Sequence, residues 1–365
     1  MSGPLTSIKV VEFEGLGPAP FCAMMLSDMG ADVVRIENPT KRVPLPGPTG
    51  PRAFLKRGRE SIKLNLKEPN EVERVLELIA KADALIEGFR PGVMERLGLG
   101  PDRCLERNPR LAYGRMTGWG QNGPLANHAG HDINYIALSG ALSTIGPKDG
   151  KPTIPLNLIG DFGGGGMLLA FGILCAVFEA SKSGKGQVVD AAMLDGAALL
   201  TTMVRSFMEE GLWQEKRGTN LLDGGAHFYN TYECADGAHI ALGSIEPTFY
   251  ASLLEKLGIC GDECSSQHPK DWLSMKERLT EIFKSRTRAQ WEELLDGENI
   301  CFAPVLSLNE APCHPHNKAR GTFIEVEGVT QPAPAPRFSK NIPSTPLPPG
   351  VYTSAEKVLR RWRHE

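Results

Sequence analysis

No uninterrupted apolar run of about 18 residues or more occurs in the 365-residue sequence, so a membrane-spanning segment is not expected. The opening Met1-Ser2-Gly3-Pro4-Leu5 leads within a few residues into a strand pattern and lacks a basic, apolar leader, which points to an intracellular, soluble protein. The compartment would be cytoplasmic, or a peroxisomal or mitochondrial matrix in a eukaryote, although the terminal Trp362-Arg363-His364-Glu365 is not a Ser-Lys-Leu type signal. Charge of one sign is also lacking: the formal net charge is −3, which leaves no electrostatic case for nucleic acid as a partner. Cysteine is sparse, with eight residues at 22, 104, 175, 234, 260, 264, 301 and 313, so reduced thiols are expected rather than a disulfide framework. Two clusters, Cys260 and Cys264 with His268 and Cys313 with His314 and His316, lack the paired Cys-x-x-Cys spacing of zinc sites, and no metal is expected. The turn Gly15-Leu16-Gly17 lacks the third glycine of a dinucleotide fingerprint, which argues against a nicotinamide cofactor.

What is present is an ordinary globular composition, 41% apolar and 23% charged, long enough for two domains. Short apolar runs at 8–13, 33–36, 61–66, 84–87, 111–116 and 187–189 read as strands. Helical spacing occupies 19–29, the stretch after an expected N-cap at Asn70 with Glu73 as its return partner, and 167–180. Alternating strands and helices predict an α/β fold, a mostly parallel sheet of Rossmann-like type covered on both faces. A long helix with Met193, Leu199, Leu200 and Met203 follows, and beyond about residue 225 two strands around Asp236-Gly237 and several helices predict a smaller α+β domain. The expected division is a large domain at 1–190 completed by 322–365, a linker at 191–225, and a small domain at 226–321. The proline-rich stretch 331–350 suits an extended connection, followed by a terminal helix at 354–362.

Chemistry concentrates in Gly130-His131-Asp132-Ile133-Asn134-Tyr135 and in Gly160-Asp161-Phe162 with Gly163, Gly164, Gly165 and Gly166 behind it. A histidine and an aspartate at the mouths of two helices provide two proton carriers, which is what inverting a carbon beside a carbonyl requires. Four glycines at a helix start each cost about 1 kcal/mol relative to alanine, so open space for an acyl group or a close backbone approach is expected there. Free N–H groups of that turn would then stabilise an enolate oxygen. Arg35, Lys41, Arg42, Lys56, Arg57, Arg59, Lys67, Arg90 and Arg96 are basic residues of the first half that could hold a phosphorylated handle. Arg90 is the best placed of them, directly after a strand.

Taken in order, Val10-Val11-Glu12, Gly30-Ala31-Asp32-Val33-Val34-Arg35, Phe89-Arg90-Pro91-Gly92-Val93, Met116-Thr117-Gly118-Trp119-Gly120-Gln121, Gly130 to Tyr135, Pro155-Leu156-Asn157-Leu158, Gly160 to Gly165, Leu221-Leu222-Asp223-Gly224-Gly225-Ala226 and Ile245-Glu246-Pro247 resemble the α-methylacyl-CoA racemases of the family III CoA-transferase superfamily. The resemblance runs over nearly the whole chain. It implies that His131 and Asp161 are the acid/base pair, that Glu246 supports the histidine, and that Asp132 assists. It implies that an acyl-CoA substrate lies against Leu64-Asn65-Leu66-Lys67, Gly88-Phe89-Arg90, Arg96 and the loop from Gly130 through Ile133 and Asn134 to Tyr135, with CoA part of the substrate and no further cofactor. It also implies an interlocked homodimer in which Glu246 comes from the partner subunit. Two departures stand out: Asn38 occupies a place where such racemases often have an arginine, for which Lys41 or Arg42 could substitute, and the tail lacks a Gly-Glu-His-Thr signature. The implied reaction is interconversion of (2R)- and (2S)-2-methylacyl-CoA; the rival is a CoA transferase in which Asp161 is the nucleophile.

Overall fold

The computed structural model describes residues 2–39, 48–259 and 266–363. Lys41, Arg42, Cys260, Cys264, His364 and Glu365 fall outside these described residues.

The chain divides into two compact units, 1–139 with 156–200 and 315–365, and 140–155 with 201–314. The first begins β1 (Lys9–Phe13), α1 (Pro18–Asp28), β2 (Asp32–Glu37). It continues through β3 (Glu60–Lys63), α2 (Pro69–Ile79), β4 (Ala84–Glu87), α3 (Val93–Arg96), α4 (Pro101–Arg107), β5 (Ala112–Thr117) and α5 (Asp132–Leu138). After the excursion at 140–155 come a π-helical segment (Leu158–Met167), α6 (Leu168–Ser183), β6 (Gln187–Ala192) and α7 (Met193–Leu200). The strands are apolar on both faces because successive residues point to opposite sides of a sheet covered on both. Val11, Phe13, Val34, Ile36 and Leu85 enter one core with α2 and Cys104 of α4, while Val10, Val33, Ala84 and Ile86 enter another with α1 and α6.

The second unit holds α8 (Thr202–Glu209), an antiparallel sheet of β7 (Tyr229–Glu233), β8 (His239–Gly243) and β9 (Phe302–Pro304), and the helices α9 (Pro247–Lys256), α10 (Trp272–Phe283) and α11 (Arg288–Leu295). Its core contains Phe228, Tyr232, Ile240, Leu253, Leu279, Phe283 and Trp291. His227 is fully buried there with Nε2 2.7 Å from the Tyr250 hydroxyl, and burial pushes its pKa down to about 4.

The chain then returns to the first unit with α12 (Pro315–Arg320), the hairpin β10 (Phe323–Val326) and β11 (Val329–Pro332), the strand β12 (Val351–Tyr352) and α13 (Ala355–Arg361). Val358, Leu359 and Trp362 close the core beside α2. The completed sheet has seven strands in the order β12-β3-β2-β1-β4-β5-β6, all parallel. The order reverses between β1 and β4, and in such sheets ligands bind in the crevice beyond the strand carboxyl ends at that point.

The structure departs from the sequence reading in several places. Residues 140–155 belong to the second unit, and the stretch expected as a linker is divided at 200, with α7 in the first unit and α8 in the second. The single long helix expected there breaks at Thr201. Helix α2 starts at Pro69 with Glu68 in the cap position, not at Asn70, because proline at the first helical position needs no N–H partner and has its φ preset. The π-helical segment and α6 run on as one apolar helix, Leu158–Ser183, long and apolar enough to cross a membrane by length and composition. Its Leu169, Ala170, Ile173 and Ala176 pack into the core beneath β5, where Gly114 leaves room for Leu169 and Ile173.

Of the basic residues, Arg35, Arg57 and Arg59 are buried and turned inward. Arg59 pairs with Glu12 at 3.0 Å, Arg57 holds Asp28 through two nitrogens, and Arg35 reaches Glu37 at 3.4 Å. They neutralise buried carboxylates and are not available to a phosphate. Lys67, Arg90 and Arg96 remain exposed.

Candidate functional site

The switch point puts the Gly15-Leu16-Gly17 turn after β1 next to the Gly88-Phe89-Arg90 turn after β4. Gly17 has φ 65°, a region that favours glycine, and a Cβ there would stand 2.9 Å from Asp161 Oδ2. The turn read as a failed dinucleotide fingerprint is therefore the wall against which the Asp161 carboxyl lies. Gly88 meets Ala19 with the same economy, its Cβ position lying 3.2 Å from that methyl group.

Asp161 does not cap a helix. It sits inside the π-helical segment, whose wider i→i+5 turn is rare and is frequently found at functional sites. Asn157, one turn earlier, donates from Nδ2 to Asp161 Oδ2 at 3.0 Å. The residue before it, Leu156, is held at φ 56°, a strained value for a leucine that persists only when its surroundings impose it. On the other side the Asp161 N–H donates to Asp132 Oδ2 at 2.7 Å, tying the π-helical segment to the first residue of α5. Phe162 stacks on Phe21 of α1, 4.7 Å between ring centres.

His131 is the N-cap of α5 and is exposed. Its N–H donates to Asn134 Oδ1 at 3.0 Å, which orients the loop at the start of α5. Tyr135, one turn into α5, is buried edge-on against Trp119 at 4.7 Å, and this pair packs over Gly118 and Gly130. Asp132 is buried, and its Oδ1 has no hydrogen-bond partner among the described residues.

These groups act on one another. Burial pushes the Asp161 carboxyl above the usual range, the Asn157 amide pulls it back, the Asp132 charge adds to the rise, and His131 opposes it. The Tyr135 hydroxyl is pushed up to about 12 by burial and the Asp161 charge, against the field of Arg90. His131, Asp132, Tyr135, Asp161 and Arg90 thus share one electrostatic neighbourhood in the first unit.

The remaining expected contacts also sit at strand carboxyl ends. Residues 64–67 follow β3, with Leu64 buried, Leu66 packed on the core, and Asn65 Oδ1 accepting the Lys67 N–H at 3.2 Å. After β4 the Phe89 N–H donates to Glu87 Oε2 at 2.7 Å, and burial pushes Glu87 up to about 7 against that bond and Arg115. Ile133 and Asn134 are exposed on the first turn of α5. Glu246 lies in the second unit, exposed at the N-cap of α9. The role of the glycines is not the one expected of an acyl surface. Gly164, Gly165 and Gly166 are buried, and Cβ atoms on them would fall 2.6 Å from Ala197 N, 2.9 Å from Met193 Cγ and 2.8 Å from Pro18 O. Close approach of Ala197, Met193 and Pro18 explains these three glycines. Sequence reasoning missed Asn157 and Gly17; the one-turn spacing of Asn157 from Asp161 was the available signal.

Fold and site together define an α/β enzyme with a histidine and an aspartate beyond the carboxyl ends of a doubly wound sheet. The chain belongs to CoA-transferase family III, whose family model matches residues 5–351. It is 45% identical over 362 residues to a mouse protein named alpha-methylacyl-CoA racemase, covering 98% of this chain and 93% of that one. The human protein of the same name is 44% identical with the same coverage. Among solved structures, a CAIB/BAIF family protein from Brucella suis superposes with a TM-score of 0.83 at 25% identity, covering 99% of each chain. The family found is the one the sequence motifs resemble.

Proposed function

We propose that this chain is an isomerase that interconverts the (2R) and (2S) forms of 2-methylacyl-CoA thioesters. The observation that carries the reading is a histidine and a carboxylate, borne by two helical segments that Asp132 ties together, each within the other's field. One group removes the α-proton, and the C–H electron pair passes to the thioester oxygen as an enolate. The other, protonated, returns a proton to the opposite face. The positive end of α5, beginning beside His131, stabilises the enolate oxygen. CoA is part of the substrate, and no electron carrier or metal is needed for a proton exchange. Residues 64–67, the turn Gly88-Phe89-Arg90, Arg96 and the Gly130 to Tyr135 loop bind the CoA portion.

The exposed stripe of Met167, at the end of the π-helical segment, with Phe171, Leu174 and Phe178 of α6 repeats every three to four residues, with Phe171 67% and Phe178 62% exposed, which supports burial against a second copy. Equilibrium sedimentation is expected to give twice the 39.6 kDa chain mass, with Glu246 of the partner subunit orienting His131. A monomer would overturn the role given to Glu246 of the partner subunit.

The test of the reaction is incubation in D₂O with (S)-2-methylacyl-CoA, with and without a free carboxylic acid. Deuterium entry at Cα with approach to a near-equal mixture of enantiomers establishes racemisation. Family membership favours one rival, a transferase in which the Asp161 carboxylate attacks the thioester carbonyl to give a covalent acyl-enzyme; it predicts no exchange and CoA moving to the added acid. His131 has no task in that reaction.

Asn157→Ala gives a separate check. Its amide stabilises the ionised carboxylate of Asp161, so its removal makes Asp161 hold its proton to higher pH. In the direction in which Asp161 is the base, the acid limb of the kcat/KM profile is expected to move to higher pH. An unmoved limb would show that the contact does not tune the reacting carboxylate.

A further inference from the structure

Arg90 and Arg96 extend from a turn and a four-residue helix, neither of which holds its own shape in isolation. Both side chains are exposed. Behind them a buried cation links the two segments. Arg115, on β5 and 7% exposed, lies beside Glu87 in the parallel register of β4 and β5. Its Nε donates to Glu87 Oε1 at 3.1 Å, and its Nη1 and Nη2 donate to Glu95 Oε1 at 2.9 Å and Oε2 at 3.4 Å. The other oxygen of Glu87 accepts the Phe89 N–H at 2.7 Å. One guanidinium thereby joins the turn carrying Arg90, through Glu87, to the helix carrying Arg96, through Glu95.

Burying a guanidinium and a carboxylate is expensive, and apolar residues in the same places commonly give equal or greater stability. A planar fork bonded on two sides instead fixes the distance and angle between the segments it touches. We propose that Arg115 is a positioning residue for CoA: through Glu87 and Glu95 it sets the spacing of Arg90 and Arg96 and so the affinity for the phosphorylated nucleotide end of the thioester. This rests on the reading that Arg90 and Arg96 bind CoA. It adds what decides their placement, since long exposed side chains otherwise lose much of their binding energy to the entropy of being ordered.

Glu95→Gln is the mild test, because Glu95 is half-exposed and its loss leaves the Glu87 contact intact. A charge-assisted hydrogen bond has a net value that corresponds to about a tenfold change, so KM for 2-methylacyl-CoA is expected to rise about tenfold with kcat within about twofold. Arg115→Met is expected to raise KM further, and Arg115→Lys to recover only part of the loss, because an ammonium cannot bond both carboxylates as a fork. The matching thioester of pantetheine, which lacks the nucleotide, is expected to keep its KM in all three variants. Calorimetric titration with CoA alone reads the same loss without turnover: weakened CoA binding in a chain that racemises nothing would uphold the positioning role and discard the racemase reading. Unchanged CoA affinity in Glu95→Gln and Arg115→Met, or equal losses for CoA and pantetheine thioesters, overturns the proposal in favour of a structural ion cluster.

Discussion

Replacing Asp161 by asparagine or His131 by alanine is expected to lower racemisation by about 10² to 10⁴, the usual contribution of a positioned acid or base. The two variants are expected to fail in opposite ways. With one carrier gone, the other can still remove the α-proton of the enantiomer that faces it and return deuterium to the same face. Each variant should therefore exchange one enantiomer without inverting it, and the two should choose opposite enantiomers, as chiral separation and mass spectrometry of recovered thioester would show. Asparagine preserves the shape of the side chain that fits between Gly17 and Asn157, so the loss reports proton transfer and not packing. Full racemisation in either variant would sink the two-carrier mechanism. Transfer of CoA that depends on Asp161 but not on His131 would replace it with the acyl-enzyme route.

The second large effect is on folding. Gly164 of the π-helical segment and Gly196 of α7 meet backbone to backbone. A Cβ on Gly164 would lie 2.6 Å from Ala197 N and 2.8 Å from Gly196 C, and no side-chain rotation relieves a clash with main chain. Gly164→Ala and Gly196→Ala are each expected to cost about 3 kcal/mol or more, at or beyond the upper end for an overpacked core. Gly163→Ala should cost less, since its nearest neighbours would be Leu158 O at 3.1 Å and the flexible Leu200 Cδ1 at 3.3 Å. Urea denaturation of the three variants checks the order. Equal stability of Gly164→Ala and Gly163→Ala would mean that the helices part easily and that the glycine run serves the substrate after all.

Much of the scaffold was legible in the sequence because it depends on short-range pattern. The apolar runs at 8–13 and 84–87 are strands because both of their faces must be buried, and the glycine-bounded His131 segment reads as a loop entering a helix. The misreadings share a different cause. Charge is written in a sequence but burial is not, so Arg57 and Arg59 looked available while they neutralise Asp28 and Glu12 in the core. Apolar spacing does not distinguish an i→i+5 turn from an i→i+4 turn through four glycines, so Asp161 was placed at the mouth of a helix when it lies inside one. Asn157 was visible as part of a motif, but its role required knowing which way the π-helical turn aims it.

By itself, then, the sequence determined the strand and helix alternation, the two side chains proposed as proton carriers and the family, because these follow from local periodicity and from motifs contiguous in the chain. Tertiary structure alone decided the rest. Strand order created the switch point between β1 and β4. Packing against Gly196 set where Asp161 stands, Asn157 opposed burial and the Asp132 charge in setting its proton affinity, and Arg115 met Glu87 and Glu95 across neighbouring elements. Each of these depends on distances between residues far apart in the chain, and the strength of a charge or a contact is settled by distance and burial, not by sequence position.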